Sequence, residues 1–190
     1  ARDIIVNDGV TLASLGAAKL LATGDVLLSD INVATGDLTI VAEGVVHDNS
    51  AGDGANVTMG TGELSISSKA MDLTLNVGNI KSLTTTETDT SATPIDIISV
   101  NINTRLEDIA TSGKAIFQQT AGSLTLTGSV FADDLDMDVL AGNLAQEQAA
   151  AMTITNGFDL TASDSMALSS ITSQEGDISI TTGGALTDAS

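Results

Sequence analysis

Apolar residues recur along this chain in pairs at positions i and i+2, flanking one residue that is usually polar. The pattern appears as Leu38-Thr39-Ile40, Leu64-Ser65-Ile66, Leu73-Thr74-Leu75, Ile95-Asp96-Ile97, Leu124-Thr125-Leu126, Leu135-Asp136-Met137, Met152-Thr153-Ile154, Met166-Ala167-Leu168 and Ile178-Ser179-Ile180. Alternate side chains of an extended backbone point to opposite faces, so each triplet predicts a short strand with one dry side and one wet side.

Four of these strands, or close relatives of them, follow a glycine and a polar residue: Gly36-Asp37-Leu38, Gly62-Glu63-Leu64, Gly122-Ser123-Leu124 and Gly176-Asp177-Ile178. The glycines are 26, 60 and 54 residues apart, close to multiples of about 20, the length of one turn of a β-helix. Glycine at a fixed corner lets the chain bend sharply before it re-enters a strand. The alternative is an antiparallel sandwich of hairpins. Hairpins favour Asn-Gly or Asp-Gly inside two-residue loops, whereas here glycine comes before the acidic residue, an order that favours a coil. The expected fold is all-β, a right-handed parallel β-helix of about 20 residues per coil. Nine or ten coils at ~4.8 Å each would form a rod on the order of 45 Å long.

Residues 1–190 read as a single solenoid segment with loop excursions near 47–62 and 84–94, the second ending at Pro94, the only proline. Two stretches, 12–22 and 140–151, have helical character, the second because of its alanines and glutamines. The terminal GGALTDAS still looks like repeat sequence, which implies a piece of a longer protein or a subunit whose ends meet other copies.

Composition narrows the function. Hydrophobic residues make up 42% of the chain and aromatic residues only 2%, which suits a narrow interior of stacked small layers. The net charge of −19 disfavours nucleic acid and anionic membrane and favours divalent cations or basic surfaces. There is no cysteine, hence no disulfide, thiol chemistry or cysteine-type metal site. No apolar run is long enough for a spanning helix, so membrane insertion is not expected. The opening ARDIIVNDG lacks the apolar core of a signal peptide; an exported parent therefore implies a mature or internal segment.

The stretches from Ile31 to Gly44 (INVATGDLTIVAEG) and from Gly176 to Leu186 (GDISITTGGAL) resemble repeats of filamentous-haemagglutinin-type adhesins and other large bacterial exoproteins. The resemblance is sharpest near residues 31–46 and 157–187. It implies an exported, very long, right-handed parallel β-helix that holds adhesive or toxic tips away from a cell, at an extracellular or cell-surface location. The implied role is a structural stalk or filament segment, with neighbouring segments or copies of the same protein as partners. A carbohydrate- or protein-binding adhesive module, facing host or matrix glycans or proteins, is the alternative.

Candidate chemistry is sparse. Asp134, Asp136 and Asp138 fall on the outward face of one strand, where their mutual repulsion makes calcium a plausible neutraliser. No EF-hand or nonapeptide calcium motif accompanies them. A second oxygen-rich group is His47-Asp48-Asn49 with Asp53. His47 is the only histidine, and no phosphate-binding glycine motif is present. β-Helices do host polysaccharide-cleaving enzymes, but the rings and cations that hold sugar polymers are scarce here. A non-enzymatic role without a required cofactor is the expectation.

Overall fold

Coil-to-coil hydrogen bonding builds the whole molecule. A computed structural model describes residues 1–52, 54–89 and 92–190, which form a parallel β-solenoid with no helix among them. Every strand pairing is parallel, and equivalent residues lie about one coil of sequence apart, as in Ala18 with Leu38 and Leu124 with Leu144. The first sheet has a spine of nine strands and so does the second; nine levels at ~4.8 Å give a rod of roughly 40 Å.

The alternating pattern becomes columns of stacked side chains. In the first sheet one inward column runs through Ile4, Val26, Val46, Met71, Ile95, Ala115, Leu135, Phe158 and Ile178. The next inward column contains Leu73, Ile97, Phe117, Met137 and Leu160. The facing sheet contributes Leu38, Leu64, Ile80, Leu106 and Leu126. Nearly all of these are buried. At about 1.5–3 kcal/mol per fully buried large aliphatic or phenyl side chain, this stacking is the dominant favourable term.

The cross-section changes along the rod. In the lower coils a third face of short strands, among them Asp30–Val33 and Val57–Met59, adjoins the first sheet. In the upper coils the third face, Ser129–Ala132, Ala151–Ile154 and Ser170–Ser173, adjoins the second sheet instead. Between them lie flatter coils built from longer strands such as Met71–Asn76 with Asn79–Thr85 and Ile95–Ser99 with Asn103–Ala110.

Buried polar side chains repair the backbone where a long strand spans two shorter ones. Strand Met71–Asn76 pairs with Val46–Asp48 at its start and Val57–Met59 at its end, leaving Thr74 over a gap. Asn56, fully buried, fills it. Its Oδ1 accepts from the Thr74 N–H at 2.7 Å, and its Nδ2 donates to Asp48 Oδ1 at 2.6 Å and to the Leu28 carbonyl at 3.3 Å. In the upper coils Gln146 does the same work, donating to the Ala150 and Ser170 carbonyls at 2.9 and 2.8 Å and accepting from the Ser169 N–H at 3.0 Å.

The four signature glycines all have positive φ, from 65° at Gly122 to 108° at Gly62. The polar residue that follows can cap the coil above. Asp37 Oδ1 accepts from the Glu63 N–H at 3.0 Å. Higher up, Asn103, Ser123, Asn143 and Ser165 form a chain in which each side-chain oxygen accepts a backbone N–H from the next coil.

Two expectations require correction. The helical stretches do not exist: residues 12–22 lie across strands Thr11–Ser14 and Ala18–Ala22, and residues 140–151 contain Leu144–Gln146 and lead into Ala151–Ile154. Local propensity is worth only tenths of a kcal/mol per residue, far less than the ladder bonds and burial that each coil gains from its neighbour. Within 47–62 the chain also re-enters the solenoid as strand Val57–Met59.

Candidate functional site

The outward face of the first sheet carries an acidic column. By register it runs His47, Asp72, Asp96, Ile116, Asp136 and Asp159. His47 Nδ1 lies 3.3 Å from Asp72 Oδ2, and Lys114 Nζ lies 3.5 Å from Asp136 Oδ2. Asp134, Asp136 and Asp138 do share this face, with Leu135 and Met137 buried beneath them. They point to different partners. Asp134 accepts the Gly157 N–H at 3.0 Å, Asp136 faces Lys114, and Asp138 is bonded by Thr161. Alternate residues of a strand are ~6.6 Å apart, whereas neighbouring coils are ~4.8 Å apart. The nearer neighbour of Asp136 is therefore Asp159, which shares its register on the next coil and lies 23 residues on in sequence. Among the described residues no three His, Cys, Asp or Glu side chains gather around one point suited to a metal ion.

The residues of the second oxygen-rich group also diverge. His47 engages Asp72, Asn49 donates to the Val6 carbonyl at 3.0 Å, and Asp48 binds Ser50 and Asn56. Asp53 lies outside the described residues.

These environments set opposite titration behaviour. Burial, and then the neighbouring Asp72 charge, push the Asp96 carboxyl up; burial and Asp136 do the same to Asp138. Burial also acts to raise Asp48, but hydrogen bonds from Ser50 and Asn56 outweigh it and hold that carboxyl below its ordinary value of 3.8. A raised folded-state pKa means that the native state binds the proton more tightly than the unfolded chain, so stability rises as pH falls towards that pKa. A depressed one stabilises above the unfolded pKa and loses that contribution as pH falls through the folded value. The urea midpoint is thus expected to rise from neutrality into mildly acidic solution, helped by relief of the net negative charge, and to fall in stronger acid. Asp96→Asn with Asp138→Asn should flatten the rise; an undiminished rise in that double variant would contradict the assignment.

Comparison with known protein families, curated proteins and solved structures finds no match to this chain. The surface itself must therefore carry the functional reading.

A second feature lies on the opposite sheet. Glu63, Asn79, Lys81, Arg105, Glu107, Thr127 and Glu147 line a groove of about 290 Å³. The register between strands Leu64–Ser68 and Asn79–Thr85 shifts between Ile80 and Ser82, so Lys81 bulges out of the ladder and re-aims its side chain. Lys81 Nζ sits 3.1 Å from Glu63 Oε2, and Arg105 contacts Glu147 Oε1 at 3.1 Å. Exposed pairs of this kind add little to stability, about 0–1 kcal/mol each. Sequence reading did not single out these residues. The available signal was the coil period: Glu107 and Glu147 are 40 residues apart, two coils on one face.

Proposed function

We propose that this chain is a structural stalk or filament segment of a secreted or cell-surface bacterial adhesin-like protein. The observation that carries the reading is the unbroken column from Ile4 to Ile178, buried at every level from Val26 to Phe158 and open at both ends, which makes one continuous rod. A dense acidic exterior keeps such rods apart in solution by repulsion. In this reading the partners are neighbouring segments or copies of the same protein, the role is not catalytic, and calcium acts as a counter-ion to the first-sheet carboxylates rather than as a resident cofactor. The second reading, a carbohydrate- or protein-binding adhesive module, is favoured by the charged groove on the second sheet.

Immunogold labelling of intact source cells with antibodies raised against the purified chain tests the proposal. Label outside the envelope, displaced from its surface, is the expected result. Label found only after permeabilisation would remove the stalk reading.

A further inference from the structure

We infer that an almost uncharged strip running the length of the rod is the face on which two copies of this chain pack side by side. Seven successive pairings align two outward columns across eight strands, from Ala18–Ala22 at the bottom to Ser170–Ser173 at the top. One column runs from Leu21 through Val41 and Phe131 to Thr172, and its neighbour from Lys19 to Ser170. Among the described residues of the strip the only charged side chains are Lys19 and Asp108, of opposite sign. The first sheet, by contrast, carries Asp72, Asp96, Asp136 and Asp159 in one column.

The side chains on the strip suit a protein contact. Phe117 and Phe158 are buried, while Phe131, the remaining phenylalanine, is 49% exposed on this face and Leu21 is 50% exposed. Charged pairs flank the strip beside strand Leu64–Ser68, Glu63 with Lys81 before it and Lys69 with Glu87 after it. Exposed apolar anchors inside a neutral patch with a charged margin are the anatomy of an interface.

Charge selects the occupant. Two rods of net charge −19 repel wherever carboxylates face each other, so a second copy comes closest where both present uncharged side chains. A cationic partner would settle on the acidic first sheet instead. Eight rungs at ~4.8 Å and a width of about four strand residues give roughly 500 Å² per chain, or about 1,000 Å² for the pair, at the low end of specific contacts. The pair is therefore weak and reversible. A two-fold arrangement uses the strip of both copies and so closes, while repulsion over the other faces stops further growth. The inference deepens the reading above and rests on it only for the partner, another copy. A monomer in solution would leave the immunogold result standing, and label inside cells would leave the pair standing.

Sedimentation velocity of the purified chain over a range of concentrations, at low and at high salt, tests it. A monomer–dimer equilibrium is expected, and salt should strengthen it by screening the repulsion between rods. Phe131→Asp should weaken the dimer by about tenfold or more, whereas Ile98→Asp, an exposed apolar position on the first sheet, should change it by less than about twofold. Phe131→Ser, which keeps the strip uncharged, should weaken it in the same direction and covers the case in which the aspartate variant folds poorly. Thermal melting of the monomers checks that each variant is folded. Equal weakening by the substitutions on the two faces would reduce the effect to general repulsion and overturn the proposal. So would a chain that stays monomeric throughout, a dimer that salt dissociates, assemblies indifferent to both Phe131 substitutions, or a monomer that instead co-sediments with insoluble chitin.

Discussion

Gly122→Ala is expected to lower stability by about 3 kcal/mol or more, combining backbone strain with overpacking. Gly122 has a φ of 65°, a left-handed conformation that alanine adopts only with strain. An added Cβ would also fall 1.3 Å from the Ile102 carbonyl oxygen on the coil beneath. That oxygen belongs to backbone and accepts the Ser123 N–H, so it cannot swing aside without breaking the corner. Gly16→Ala is the matched control. Nothing lies within 4 Å of the added atom and φ is not positive there, so the substitution should be neutral or slightly stabilising through the unfolded chain. Urea midpoints of the two variants decide the matter: similar shifts would mean that the corner geometry is not what makes Gly122 necessary.

Asn56→Leu should be nearly as damaging, at about 3 kcal/mol, although leucine is apolar and the site is fully buried. The loss comes from the groups left behind. The Thr74 N–H is stranded, while the Leu28 carbonyl and the Asp48 carboxylate, which keep bonds from the Asn49 N–H and from Ser50, each lose one bond to Asn56; stranding a buried polar group costs about 1–3 kcal/mol, and the lost bonds and a misfitting leucine add to it. Asn32→Ala, at an exposed strand position, should stay within about 0.5 kcal/mol. Hydrogen exchange gives a local reading, because the Thr74 amide should lose more protection in Asn56→Leu than amides in the upper coils. Uniform loss along the whole rod would show instead that the solenoid unfolds as one unit and that Asn56 has no local role.

Both sites show how far the sequence could be read. The i, i+2 pairs marked inward positions well because a strand has a side-chain period of two, and the pattern needs no knowledge of which coil lies above. The signature glycines were legible for a similar reason: a left-handed corner is a demand on one residue. Asn56 and Gln146 were not legible. Each is a polar residue in an ordinary-looking stretch, and its burial follows from a gap in the ladder created by strands elsewhere. The stretch 140–151 misled because alanine and glutamine favour helix locally, while the coils above and below offered hydrogen bonds and burial that an isolated helix lacks.

The candidate surfaces divide the same way. Asp134, Asp136 and Asp138 stood out because they are close in sequence, yet the strand spreads them apart and register brings Asp159 beside Asp136. The groove residues Glu63, Lys81, Arg105, Glu107 and Glu147 are scattered along the chain and meet only because they fall on one face of successive coils. By itself the sequence determined the all-β solenoid, the coil length, the dry face and the acidic exterior, since these follow from local periodicity, backbone freedom and summed charge. Only the tertiary structure decided which side chains stand next to one another on the surface and which buried amides fill the gaps in the ladder. Coils of unequal length shift the register between them, and that shift is a property of the stacked chain that no single repeat contains.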